Sequence, residues 1–137
     1  MQNDTVQQPT NPAPTKGSIL IIEDEYFISE LYVRALNRAG YAVELAVDGA
    51  DGLAKAETDT YDLILLDIMV PTITGTEILK KLRDPSNPKQ IRAKIIVTTN
   101  LEQSEENKAT IETQADAYII KAEITPKQLV GFLAEIG

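Results

Sequence analysis

The chain has 137 residues, 43% of them apolar and 25% charged, with a net charge of −8. That length suits one well-packed domain rather than two, and the acidic balance argues against general nucleic-acid binding, where a basic footprint is expected. With no cysteine and no histidine, disulfides, thiolate or imidazole metal sites and Ser/His or Cys/His catalysis are all excluded, so any metal must be held by oxygen atoms, as Mg2+, Ca2+ and Mn2+ are.

Residues 1–17 carry Pro9, Pro12 and Pro14 among Gln, Asn and Thr. They are expected to form a flexible tail, because they cannot bury enough apolar area to offset their ordering entropy. No stretch resembles a signal-peptide core or a membrane span of about 18 apolar residues, so a cytoplasmic location is expected. The domain proper is expected over 18–137. Ser18-Ile19-Leu20-Ile21-Ile22 reads as a first strand buried on both faces, ending in Glu23-Asp24-Glu25. A helix over about 26–39 follows, with Ile28, Leu31, Tyr32, Ala35, Leu36 and Ala39 on one face and Gly40 as its stop. The second strand, 41–46, alternates more, as a strand near an edge does. Asp48 caps a short helix over about 49–58.

Leu63-Ile64-Leu65-Leu66 is the third strand, and it stops abruptly at Asp67. Pro71 cannot donate to a ladder, so the chain leaves the sheet within a few residues. Thr74 and Glu77 match a capping box that starts a helix through about Arg83, with Ile78, Leu79 and Leu82 inward. Residues 84–88 form a loop, and Lys94-Ile95-Ile96-Val97-Thr98 is the fourth strand, ending in Thr99-Asn100. The segment 103–114 offers Ala109 and Ile111 and little else to a core, and is expected to be the least stable helix. Ala117-Tyr118-Ile119-Ile120 is the fifth strand, ending at Lys121. Thr125 and Gln128 form a second capping box, with Pro126 at the first helical position. The last helix carries Leu129, Val130, Phe132, Leu133 and Ile136.

Five strands alternating with five helices predict an α/β fold, a doubly wound parallel sheet built with right-handed crossovers. Its strands all point the same way, so their C-terminal ends share one edge, where ligands of open α/β sheets bind. Glu23 and Asp24, then Asp67, Thr99 and Lys121, stand at four of those five ends. Clustered carboxylates repel one another, and a divalent cation relieves that conflict; Mg2+ fits, with Asp24 and Asp67 as direct ligands, Glu23 acting directly or through water, and the Met69 carbonyl turned back toward the ion. Lys121 and Thr99 add donors suited to an anion bound against the metal. Asp67 then becomes a nucleophile able to form an acyl phosphate. Taken singly, each has a plainer reading: Glu23 and Asp24 as helix caps, Lys121 as a surface lysine, Thr99 as a turn residue, Tyr118 as sheet filler. The coincidence at four strand ends favours function.

As a set, Glu23-Asp24, Asp67 with Pro71 and Gly75, Thr99, Tyr118 and Lys121 resemble the receiver domains of two-component response regulators, and the resemblance runs over 18–137. It implies a flavodoxin-like sheet of order 2-1-3-4-5, a phosphoryl group passed from a phosphohistidine of a histidine kinase or phosphotransfer protein to Asp67, and Mg2+ on Asp24, Asp67 and the Met69 carbonyl. Lys121 would contact the phosphoryl oxygens. Thr99 and Tyr118 would switch the face of helix four, strand five and helix five, controlling a downstream protein target or a phosphorylation-dependent homodimer. Such a chain is a phosphoacceptor that assists its own phosphoryl transfer and autodephosphorylation rather than an enzyme in the usual sense. With nothing after the last helix, a stand-alone receiver is expected.

The chain departs from the family pattern at Ala122, where a proline usually follows the lysine; this predicts a different arrangement of 121–125 and a less rigidly aimed Lys121. Thr98 is the fallback for Thr99. Asn100 is larger than the small residue usual there and narrows access for an attacking water. The alternative function is a phosphorylation-independent receiver-like interaction module, which a lack of response to acetyl phosphate or beryllofluoride would favour. A nucleotide binder would need a Gly- or Ser/Thr-rich loop after strand one, for which Glu23-Asp24-Glu25 is electrostatically wrong.

Overall fold

The computed structural model describes residues 16–100 and 105–137, the side chains of 105 and 106 excepted. Apart from its last two residues, the tail expected over 1–17 lies outside the described residues; Gly17 opens the first strand.

The elements run β1 (Gly17–Ile22), α1 (Tyr26–Arg38), β2 (Tyr41–Ala46), α2 (Gly49–Ala56), β3 (Leu63–Asp67), α3 (Gly75–Arg83), β4 (Lys94–Thr99), α4 (Glu105–Gln114), β5 (Ala117–Ile120), a 3-10 turn (Lys121–Glu123) and α5 (Pro126–Ile136). All strand pairs are parallel, in the order β2-β1-β3-β4-β5. This is the predicted flavodoxin-like order, and no helix among the described residues is long and apolar enough to cross a membrane.

Strand alternation divides the core into two layers. Leu20, Ile22, Ile64, Leu66, Ile95 and Val97 pack with α3 residues Ile78, Leu79 and Leu82 on one face. Ile19, Ile21, Leu63, Leu65, Ile96 and Ile119 pack with Tyr32 and Leu36 of α1 and Leu129 and Leu133 of α5 on the other. The central strands are apolar on both sides because both sides are covered. Edge strand β2 alternates between buried and open positions.

Both predicted capping boxes form: Thr74 accepts from Glu77 N–H and Thr125 from Gln128 N–H. Asp48 Oδ1 accepts from Asp51 N–H at 2.8 Å. Two expectations for inward faces fail. Leu31 is exposed, since α1 buries the stripe through Ser29, Tyr32 and Leu36 one position round. In α4 Ala109 is exposed and Ile111 is buried, so this helix has still less core than expected.

Candidate functional site

Asp67 ends β3 and is 2% exposed. Its Oδ1 accepts from Met69 N–H at 3.2 Å, which folds the start of the β3–α3 loop back over the carboxylate. Gly75, at the start of α3, makes that loop fit: its N–H donates to Ile68 O at 3.0 Å, and a Cβ there would lie 2.2 Å from Asp67 O. Gly75→Ala is therefore expected to cost about 2–4 kcal/mol of unfolding free energy in urea titration, because backbone rather than a flexible side chain must move. Helix α2 braces the far side of the loop. Gly49 N–H donates to Pro71 O at 2.8 Å and Ala50 N–H to Thr72 Oγ1 at 2.9 Å. Thr72 sits in the left-handed region, with φ 73°. Its hydroxyl also donates to Asp48 Oδ1 at 3.4 Å. The strain of a non-glycine residue there is met by these caps.

Lys121 reaches the same point from β5. Its buried ammonium donates to Glu23 Oε1 at 2.8 Å and Glu25 Oε1 at 2.9 Å, and lies 3.4 Å from Asp67 Oδ2. The Lys121–Ala122 peptide is trans and opens the 3-10 turn. The side chain is aimed into the site by three acidic neighbours.

Glu23, Glu25 and Asp67 each offer a carboxylate oxygen within 4.8 Å of the others. Three carboxylates against one ammonium leave the site short of positive charge. Burial, with the Asp67 charge adding to it, pushes the Glu23 carboxyl up to about 7 despite the Lys121 hydrogen bond. The Lys121 hydrogen bond holds the Glu25 carboxyl below its usual range. Burial pulls the Lys121 ammonium down, but its hydrogen bonds to Glu23 and Glu25 and the Asp67 charge outweigh that and hold it above its ordinary value.

The sheet thus brings Glu23, Asp67 and Lys121 together as expected. Asp24 stands apart, exposed and outside the three-acid group, whereas Glu25 stands inside it. Glu23 N–H continues the ladder to Ala46 O and Glu25 keeps extended dihedrals, and along extended backbone alternate side chains point to the same side, so Glu23 and Glu25 turn inward together and Asp24 outward. Period-2 alternation carried past the strand end was the available signal. Asn100 also reaches this cluster, as a donor. Its Nδ2 donates to Glu25 Oε1 at 3.1 Å.

Thr98 pairs in register with Asp67 and shares its face with Ile96. Thr99, the last residue of β4, pairs with Ile120 and falls on the opposite face, the one Tyr118 occupies two residues before Ile120. Both threonines are buried, while Tyr118 is 55% exposed. Alternation therefore puts Thr99, not Thr98, on the face of Tyr118.

The family model of the response regulator receiver domain matches residues 19–133. The chain belongs to this family. Among curated relatives, the receiver is 39% identical over 103 residues to response regulator ArlR of Staphylococcus aureus, an overlap covering 75% of this chain and 45% of the relative. The chain thus spans about half the length of the curated relatives it matches. Among solved structures, the receiver superposes on a CheY-like response regulator receiver domain protein from Methanospirillum hungatei JF-1 with a TM-score of 0.73 and 35% identity, over 87% of this chain and 91% of that one. Chemotaxis response regulator CheY4 of Vibrio cholerae gives a TM-score of 0.76 and 31% identity, over 90% of this chain and 100% of that one.

Proposed function

We propose that Asp67 accepts a phosphoryl group from the phosphohistidine of a histidine kinase or phosphotransfer protein. What carries this reading is the pairing at one sheet edge of a buried carboxylate, Asp67, with a buried ammonium 3.4 Å away, Lys121. An Asp67 oxygen attacks phosphorus, the P–O bond forms as the P–N bond breaks, and the imidazole leaves with the electron pair and takes a proton from solvent. Lys121 turns its N–H groups to the phosphoryl oxygens. The Thr99 hydroxyl donates to one of them, and Tyr118, now outward, turns in behind it. That movement reshapes the face of α4, β5 and α5 and sets its affinity for a downstream protein or a second copy of the chain.

The donor set fits Mg2+: oxygen ligands only, clustered, with more negative charge than Lys121 balances. Asp67, Glu23 and the Met69 carbonyl would hold it, and Asp24 would do so only once its side chain, outward here, swings toward the cluster. When bound, such an ion screens the approach of two anions and stabilises charge on the transferring oxygens. The same edge carries exposed apolar groups, Tyr26, Phe27 and Leu31 of α1 with Val47 and Met69, which suit a noncovalent protein donor.

Intact mass after incubation with acetyl phosphate and Mg2+ tests the assignment. A gain of one phosphoryl group is expected in the wild type and none in Asp67→Asn. No gain, or one that survives the substitution, removes the mechanism.

A further inference from the structure

Lys121 has three N–H groups, and in this state all three face acids. Two of those acids, Glu23 and Asp67, are buried. The third, Glu25, is half-exposed and is also the acceptor for Asn100 Nδ2. Its backbone N–H donates to Glu23 Oε2 at 3.1 Å, which ties the main chain at this position to the buried Glu23. One carboxylate therefore ties three connections together at the phosphoacceptor edge: the segment after β1, the residue after β4 and the residue after β5.

We propose that Glu25 is a positioning residue that latches the unphosphorylated state, holding Lys121 and Asn100 until a phosphoryl group on Asp67 takes Lys121 away. This rests on the phosphoacceptor reading above. A phosphoryl group on Asp67 brings acceptor oxygens that compete for the Lys121 N–H groups. Of the three present partners, the half-exposed Glu25 is the cheapest to release, because water replaces its hydrogen bonds at once. Its release frees the Asn100 amide in the same event. Loading the site and loosening the start of the β4–α4 connection are then one step. The latch also opposes phosphorylation, since Lys121 must leave Glu25 before it serves the incoming group.

The test is a beryllofluoride and Mg2+ titration of the full chain, followed by Tyr118 fluorescence and by the side-chain amide resonance of Asn100. Glu25→Gln is expected to bind roughly two- to fivefold more tightly than the wild type, the range of an exposed ion pair. Asn100→Ala, which changes no charge, should shift affinity the same way by less. Glu25→Asp separates contact from charge: it keeps the carboxylate but, one methylene shorter, cannot span Lys121 and Asn100, so it should bind like Glu25→Gln. The Asn100 amide should move on beryllofluoride binding in the wild type and already be released in both Glu25 variants. Wild-type affinity in Glu25→Asp would reduce the effect to charge repulsion and overturn the latch. Weaker binding in Glu25→Gln would make Glu25 a metal ligand and overturn it equally. A wild type that responds while Glu25→Gln matches it removes the latch alone; a wild type that does not respond at all removes the phosphoacceptor reading and the latch with it.

Discussion

Replacing Lys121 with alanine is expected to destabilise the chain by about 3–5 kcal/mol near neutral pH, the usual cost of removing one partner from a buried ion pair. The ammonium is buried and is the cation bonded to both Glu23 and Glu25 beside Asp67. Without it Glu23 faces the Asp67 charge in a desolvated site with no hydrogen bond from Lys121 to lower it, and its carboxyl, already raised, holds its proton to still higher pH. The deficit should therefore narrow on acidification. Between the unfolded carboxylate range and the raised native one, the variant's native state binds more protons than its unfolded state, so its stability rises as pH falls. Lys121→Met keeps the buried stem and isolates the charge from packing. Urea titrations of both variants at about pH 5 and about pH 8 should show the larger loss at the higher pH. Equal losses at both would mean that the lysine acts through its stem.

Much of this site was legible because sheet topology is. Parallel strands with apolar faces on both sides forced the five C-terminal ends onto one edge, and Asp67, Lys121 and Glu23 followed from position alone. The limits are equally physical. Which of three consecutive acids turns inward depends on how far extended backbone continues past β1, and here it continues to Glu25, the residue before α1. Leu31 departs from the expected buried face of α1 because helical periodicity finds an apolar stripe without saying which edge of it meets the sheet. Phe27 and Leu31, one turn apart and exposed, share that helix with a buried Ser29. Ser29 finds its hydrogen bond at Tyr26 O, 3.1 Å away, a local partner no pattern of apolar residues reveals. The Thr72 turn is not legible in the local sequence for another reason: its left-handed φ is supported by the N-terminus of α2, more than twenty residues earlier in the chain.

Mg2+ is expected to raise the thermal midpoint of the chain, and to raise it more at higher pH. The Glu23 carboxyl is pushed up to about 7 from an ordinary 4.5, first by burial and then by the Asp67 charge. Between those values the native metal-free state holds a proton that the unfolded chain has released, so stability falls as pH rises, by up to about 1.4 kcal/mol per pH unit. Above about pH 7 that cost is fully present. Glu25, held low by Lys121, acts in a separate window: its contribution is present above the ordinary carboxylate range and is lost only as pH falls below it. A divalent cation at Glu23 and Asp67 requires the ionised carboxylates, so its binding releases the Glu23 proton and is opposed by acid. At a hundredfold excess over its dissociation constant it contributes about 2.7 kcal/mol. Thermal scans with and without MgCl2 at about pH 5.5 and about pH 8 should give a clear shift at the higher pH and a much smaller one at the lower. In Glu23→Gln the metal-free slope between those pH values should flatten, because the group that titrates is gone. A slope unchanged in Glu23→Gln would assign the titration to another group, and a Mg2+ shift equal at both pH values would place the ion away from Glu23.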